Sequence, residues 1–145
     1  MGTVNGCNLP EDLYYLVDKH VWVRFDALDR VTVGMTDVAA HLAGNVIVVS
    51  PKRVGRTLEK GQSAATVESG KWVGPVPAPI NGEIVEVNEN LKAHPELLNE
   101  DPYGNGWILR IRPASWDEDK STLVTGLEGL ERYRAKLEAE NIRCG

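Results

Sequence analysis

Apolar positions in this chain follow two periods. Over most of its length they recur every second residue, and only near the end every third or fourth. His20–Phe25 sets Val21, Val23 and Phe25 against Trp22 and Arg24, which predicts a strand. Asp26–Asp29 reads as a turn and Arg30–Gly34 resumes the alternation, so a hairpin is expected there. Thr36–Gly44 predicts a short helix, with Thr36 as N-cap, Asp37 at the positive end, Gly44 past the last turn and Val38 and Leu42 on one stripe. Asn45–Val49 is continuously apolar, so it is expected as a strand buried on both faces. Ser50–Gln62 is a polar loop, Ala64–Glu68 a strand, and Ser69-Gly70-Lys71 a tight turn from which Trp72 and Val73 begin the return. The run Gly74–Pro79 is too rich in proline for a central strand. Gly82–Asn88 alternates again, Pro95–Asn99 reads as a helical turn with Pro95 in its first position, and Tyr103–Gly106 turns into a last strand at Trp107–Arg112. Leu9–Leu16 is a leader whose Tyr14 and Tyr15 are expected to pack on the body.

The end of the chain differs. Between Ser121 and Asn141 the residues Leu123, Leu127, Leu130, Tyr133 and Leu137 are spaced as one face of an amphipathic helix. Six or seven short strands followed by one helix make a mainly β protein. The core expected from these patterns is Val21, Val23, Val33, Leu42, Val46, Val48, Val67, Ile80, Ile84, Val87, Ile108, Leu109 and Ile111, with Trp22 and Trp107 beside it.

Composition narrows the function. The 145 residues carry 16 basic and 21 acidic side chains, a net charge of −5, with 42% apolar and 26% charged residues. That length suits one domain. The acidic balance argues against nucleic acid as partner, and no apolar run is long enough to span a membrane. The N-terminal residues have neither the basic nor the apolar region of a secretion signal. His20, His41 and His94 are scattered and no CxxC occurs, so no metal site is expected. Cys7 and Cys144 read as two thiols of a cytoplasmic protein. No catalytic set is visible either: Ser69 has no histidine at useful spacing, and Asp37 with His41 reads as a surface pair. What stands out is Lys71, alone at a hairpin tip directly after Gly70, where its amine is clear of the backbone. By itself it is an ordinary solvated turn lysine.

Its context is more specific. His20-Val-Trp22, Thr32–Thr36, Glu68-Ser-Gly-Lys71, Pro79–Ile84, His94–Gly104 and Gly106-Trp107 occur in one register, and over Leu9–Arg112 the chain resembles the H protein of the glycine cleavage system, a lipoyl-carrier family. The resemblance implies a lipoyl/biotinyl-type barrel-sandwich hybrid, a hammerhead of two three- or four-stranded sheets related by a pseudo-twofold, with a short internal helix and the C-terminal helix on a flank. It implies one domain over residues 1–145, with a β core at 9–112 and a helical extension at 113–145. It places covalent lipoate on Lys71, with Glu68 three residues before and Gly82 eleven after as the marks read during lipoylation. A biotinyl site, with its Met-Lys-Met, does not match Gly70-Lys71-Trp72. The implied role is a monomeric carrier, not an enzyme. Its lipoyl-lysine arm would swing a bound intermediate between partner enzymes after a lipoate ligase or lipoyl-assembly enzymes load it. Such a tether raises the local concentration of its cargo at each active site.

Three positions depart from the family pattern. A Ser and a Glu that flank the family's cleft histidine, and an Asp four residues after its lipoyl lysine, align with Lys19, Val21 and Pro75. At 4 Å and an effective dielectric of about 20, each lost carboxylate contact to a cationic aminomethyl cargo is on the order of 4 kcal/mol before desolvation. The chain in this respect resembles the H-protein-like lipoate-binding proteins of sulfur oxidisers, which serve heterodisulfide-reductase-like complexes. Sulfur, carried by thiol chemistry, is therefore the expected cargo, with glycine cleavage and its enzymes as the alternative. Lys19, His20, Val21, Trp72 and Pro75 are the candidate cleft residues. Trp72 either covers the arm and forms a docking face or only caps the hairpin; His20 either lines the cleft or is a satisfied structural histidine. Lys52, Arg53 and Arg56 either dock an acidic partner or are a solvated basic loop. With a sulfur cargo, Cys7 and Cys144 gain a second reading as redox thiols, bridged if the ends of the chain meet.

Overall fold

The computed structural model describes residues 2–27 and 29–144. Among them are twelve strands and five α-helices. Strands β1 (Gly2–Val4) and β2 (Cys7–Leu9) form a small hairpin. β3 (Tyr14–Leu16), β4 (Val21–Ala27) and β5 (Arg30–Met35) follow as an antiparallel meander, so the tyrosines of the expected leader sit in a strand that pairs with β4. Helix α1 (Asp37–Ala43) forms where its caps predict: the Thr36 hydroxyl accepts from Ala39 N at 3.3 Å, and Gly44 takes φ +80 at the other end. That φ is open to glycine without a Cβ penalty.

Strands β6 (Val46–Pro51), β8 (Ser63–Ser69) and β9 (Val73–Pro77) make a three-stranded sheet in the order β6-β8-β9. The prolines of β9 are tolerated because β9 is an edge. β7 (Thr57–Leu58), β10 (Gly82–Val87), β11 (Leu109–Pro113) and β12 (Val124–Thr125) join β3, β4 and β5 in a seven-stranded sheet ordered β12-β3-β4-β5-β11-β10-β7. The two sheets are thus of seven and three strands, and not the matched three- or four-stranded pair expected. They share one core, in which Val21, Val23, Val33, Ile84 and Ile111 of the large sheet meet Val46, Val67 and Val76 of the small one.

Beyond β10 lie α2 (Asn90–Ala93) and α3 (Leu97–Glu100), so Pro95 precedes its helix by two residues where the first helical position was expected. α4 (Trp116–Asp119) is another single turn. α5 begins at Gly126 and ends at Ala139, shorter than the expected 121–141. Gly126 has φ +64, so the chain turns there and Leu123 is buried outside the helix. Leu127 consequently misses the buried face and is 72% exposed, while Tyr133 and Leu137 are fully buried.

Three core expectations fail. Leu42 is 45% exposed, Val48 is 40% exposed and Val87 is only half-buried. For β6 the reason is topological: it is an edge strand with a bulge between Val46 and Val48, so only Val46 and Val49 reach the core and Ile47 and Val48 face out. Trp107, also expected in the core, is half-buried with the Arg110 guanidinium 4.0 Å from its ring centroid. The other ten predicted core positions are buried, as is Trp22, whose Nε1 donates to the Pro102 carbonyl at 3.0 Å.

A second apolar cluster holds Val4, Cys7, Leu9, Trp22, Val38, Tyr133, Leu137 and Cys144. It packs the first hairpin against α5 and brings the two ends of the chain together. Cys7 and Cys144 are bonded as a disulfide with Cα atoms 4.8 Å apart, which overturns the expectation of two free thiols. The alternative reading, a bridge formed if the ends of the chain meet, is the one the structure shows, across a separation of 137 residues. Because the bridge closes so long a loop, Cys7→Ser with Cys144→Ser should lower the unfolding free energy by about 2–4 kcal/mol in urea titrations, with the native fold retained.

Candidate functional site

The β8–β9 hairpin carries Lys71 at its tip. Ser69 N donates to the Trp72 carbonyl at 2.7 Å and closes the turn, leaving Gly70 and Lys71 outside. The Ser69 hydroxyl donates to the Ala43 carbonyl at 2.5 Å and accepts from Lys71 N at 3.3 Å. One small side chain therefore ties the hairpin tip to the C-terminal end of α1, satisfying a helix carbonyl that would otherwise lack a partner. The Lys71 stem lies across Gly44, where a Cβ would stand 2.9 Å from its Cε. Lys71 is exposed and has no ion-pair partner among the described residues.

Beside this tip is a cavity of about 250 Å³. All five candidate cleft residues line it: Lys19, His20, Val21, Trp72 and Pro75. Met35, Ala39, Leu42, Ala43 and Val76 complete the wall. Lys19 and Leu42 stand exposed at the rim, and Val21 and Met35 are buried at the floor. The lining contains no carboxylate. Trp72 stands at both the hairpin and the cavity. Its indole covers Gly74, where a Cβ would meet Cζ2 at 2.2 Å, and it also walls the cavity while remaining 39% exposed.

His20 lines the cavity and is also hydrogen-bonded within the fold. It sits in the left-handed region at φ 58, just ahead of β4. Its Nδ1 is 2.9 Å from the Tyr133 hydroxyl, which lies 3.2 Å from Thr36 Oγ1. Thr36 Oγ1 also accepts from Ala39 N, so the helix cap, Tyr133 and His20 form one hydrogen-bonded chain. Burial lowers the His20 pKa below its ordinary 6.5 and nearby Lys136 lowers it further, against the opposing charges of Glu140 and Asp18.

Glu68 and Gly82, the expected recognition marks, are not equivalent. Glu68 is exposed in the central strand of the small sheet, two residues from the tip and flanked by Val48 and Val73, themselves exposed. Gly82 is buried in the large sheet, and a Cβ there would meet the Arg112 carbonyl at 2.3 Å. Its close approach to β11 is a packing requirement. Among the described residues no group of three or more His, Cys, Asp or Glu is placed to hold a metal ion, and no helix is long and apolar enough to cross a membrane.

The hairpin lysine thus stands without an ion-pair partner among the described residues, beside an apolar cleft. The family model described as "Glycine cleavage H-protein" matches residues 13–139. The chain belongs to the glycine cleavage H-protein family. Glycine cleavage system H proteins 5 and 2 of Aquifex aeolicus strain VF5 are similar to it. The first is 49% identical over the whole of both chains; the second is 46% identical, covering 97% of this chain and 87% of the relative. The crystal structure of a glycine cleavage system H protein from Mycobacterium marinum superposes with a TM-score of 0.74 at 34% identity, covering 86% of this chain and 98% of that one. The mainly β fold is therefore the lipoyl-type barrel-sandwich of this H-protein family. Its members carry lipoate covalently on a lysine and are carriers, not catalysts.

The cleft residues that sequence reasoning missed, Met35, Ala39, Leu42, Ala43 and Val76, are apolar positions whose periodicity says only "buried". Leu42 was assigned to the core for that reason. Tyr133 lies 113 residues from His20, so its role had no local signal. Because the folded His20 pKa is depressed, its stabilising contribution is present above the unfolded value near 6.5 and is lost as pH falls through the folded value. His20 should titrate below 6.5 by NMR, and thermal stability should decline as pH drops from about 7 toward 5. His20→Asn, which keeps tolerance of the left-handed backbone, should flatten that decline.

Proposed function

We propose that this chain is a lipoyl carrier, loaded on Lys71 by a lipoate ligase or lipoyl-assembly enzymes, that presents one attached group to successive partner enzymes. The observation that supports it best is the placement of Lys71. The lysine is exposed at the hairpin tip, is fixed at its backbone by Ser69 and lies with its stem over Gly44 at the edge of the apolar cavity. The cavity suits the attached group: Val21, Met35, Ala39, Leu42 and Val76 offer hydrocarbon to a hydrocarbon chain. When bound, lipoate supplies a dithiolane that opens to a dithiol and holds cargo through sulfur. The protein's share is to hold the lysine at a reachable tip, to shelter the chain in the cleft, and to let go of each partner. Glu68, two residues from the tip and exposed, is the side chain we assign to recognition by the attaching enzyme. Gly82 contributes through packing.

The names of the relatives support glycine cleavage as the pathway, with an aminomethyl cargo handed between glycine-cleavage enzymes. A second reading, sulfur passed to a heterodisulfide-reductase-like complex, is favoured by one observation: the cleft has no carboxylate and has Lys19 at its rim. An aminomethyl group is cationic and gains from a carboxylate; an anionic sulfur group gains from a lysine. We take the compartment to be the cytoplasm, where the Cys7–Cys144 bridge is an exception to the usual state of thiols.

Coexpression with a lipoate ligase should add about 188 Da to the intact mass, as expected for one amide-linked lipoate. Lys71→Arg should abolish the increment; an increment retained in that variant moves the site elsewhere. For the cargo, lipoylated protein should accept the aminomethyl group from glycine in the presence of glycine decarboxylase. If loading is instead poor, and Lys19→Glu with Pro75→Asp raises it by about tenfold, the size of one partly screened charge contact, the glycine-cleavage reading fails and the sulfur reading is favoured.

A further inference from the structure

Strand β6 is an edge strand that does not protect itself. Ile47 is 58% exposed and Val48 40%, and Val54 in the loop that follows is 53% exposed. Edge strands ordinarily carry charges or cover against pairing with another chain, and a run of exposed branched side chains on one marks an interaction surface. Opposite them, Val87, Leu91 and Lys92 form the second wall of a groove of about 560 Å³. The helical turn α2 packs on β6 at this point, so the groove runs between β6 and α2.

Charge adds a second, independent observation. Lys52 and Arg53 line the groove, and Arg56 follows in the same loop. None of the three has an ion-pair partner among the described residues, whereas Glu89, the one acid in the lining, is already paired with Lys92 at 3.2 Å. A chain with net charge −5 therefore keeps unneutralised cations beside an exposed aliphatic edge. Position adds a third. Val46, the first residue of β6, pairs with Ser69, so the groove begins at the hairpin that bears Lys71.

We infer that the groove between β6 and α2 docks an extended, acidic segment with branched aliphatic side chains, belonging to an enzyme that acts on Lys71 or on the group attached to it. The carrier reading supplies only the identity of that enzyme; the groove's chemistry stands without it. Main-chain bonding along the open edge of β6 provides affinity. Alternate side chains meet Ile47, Val48 and Leu91, and carboxylates between them meet Lys52 and Arg53. A second copy of this chain fits less well, because it would bring two unneutralised basic loops into one interface. A partner bound here has its active site near the Lys71 tip, and rim charges of this kind act mainly on encounter rate and choice of partner.

The test uses isotopically labelled, unlipoylated protein and a capped hexapeptide of alternating glutamate and valine. Amide shifts should appear at residues 46–54 and 87–92. Lys52→Glu with Arg53→Glu should weaken binding by at least about tenfold, as should Ile47→Glu. Ile47 and Arg53 are exposed and Lys52 is half-buried outside the core, so the variants should fold, and unchanged shifts elsewhere in their spectra verify it. A capped lysine–valine hexapeptide should not bind. Three results overturn the inference: no shifts at about 2 mM glutamate–valine peptide, weaker than the millimolar affinity expected of a single short segment; shifts centred on the Lys71 cavity; or equal binding of the two peptides. Sedimentation should show a monomer. A dimer that Ile47→Glu dissolves would assign the groove to a second copy and also overturn the inference. Because the protein here is unlipoylated, failure of the lipoylation experiment leaves this result untouched.

Discussion

The first three residues of β4, Val21–Val23, are buried on both faces of the strand, and the rest of the structure depends on that. Val21 and Val23 point into the core shared by the two sheets, and Trp22 between them points into the second cluster with Tyr133, Leu137 and the disulfide. Gly34 on β5 makes room for it: a Cβ there would lie 2.6 Å from the Trp22 ring. Each fully buried side chain of this size contributes on the order of 1.5–3 kcal/mol of hydrophobic stabilisation. Moving β4 would therefore disrupt both clusters at once. The placement of β4 also fixes the cleft, because Val21 begins this strand, His20 immediately precedes it, and both form part of the wall.

From that anchor the cleft is assembled by contacts far apart in sequence. Tyr133 reaches from α5 to His20 and to Thr36, the cap of α1, and the other end of α1 receives the Ser69 hydroxyl from the lysine hairpin. Helix α1 is thus held at both ends by side chains from other elements, and its Ala39, Leu42 and Ala43 face the cavity as a result. The tip remains solvent-exposed while its base is immobilised. This division suits a carrier: reach comes from the tether, and the lysine needs only a defined starting point. The electrostatics of the cleft follow from the same geometry, with Lys19 exposed at the rim, no carboxylate in the lining, and burial, helped by nearby Lys136, lowering the His20 pKa.

Much of this was legible in the order of residues. Alternation marked β4, β5 and β10, strands were expected also at the sites of β8 and β11, and Thr36 and Gly44 marked the caps of α1. The cleft set Lys19, His20, Val21, Trp72 and Pro75 came from matching motif positions, and the structure brings all five to one cavity. The failures share a cause. Val48 and Leu42 are apolar residues in regular elements, and periodicity cannot say whether the layer opposite is core, a partner or an open groove. Only the strand order, with β6 at an edge, turns Ile47 and Val48 outward.

Local chemistry, then, settled the longer strands, helix α1 and which lysine stands apart, because capping, turn formation and alternation act over a few residues, while short strands such as β3 and β7 form only through their tertiary partners. Tertiary structure alone decided what those elements enclose. Cys7 and Cys144 meet because two apolar surfaces from opposite ends of the chain bury each other, and a separation of 137 residues leaves no trace in either neighbourhood. Tyr133 finds His20 for the same reason. Burial is a property of the assembled sheets: it left Lys71 the same exposed hairpin lysine that the turn residues implied, and it added the cavity, the tie through Ser69 and the exposed edge of β6.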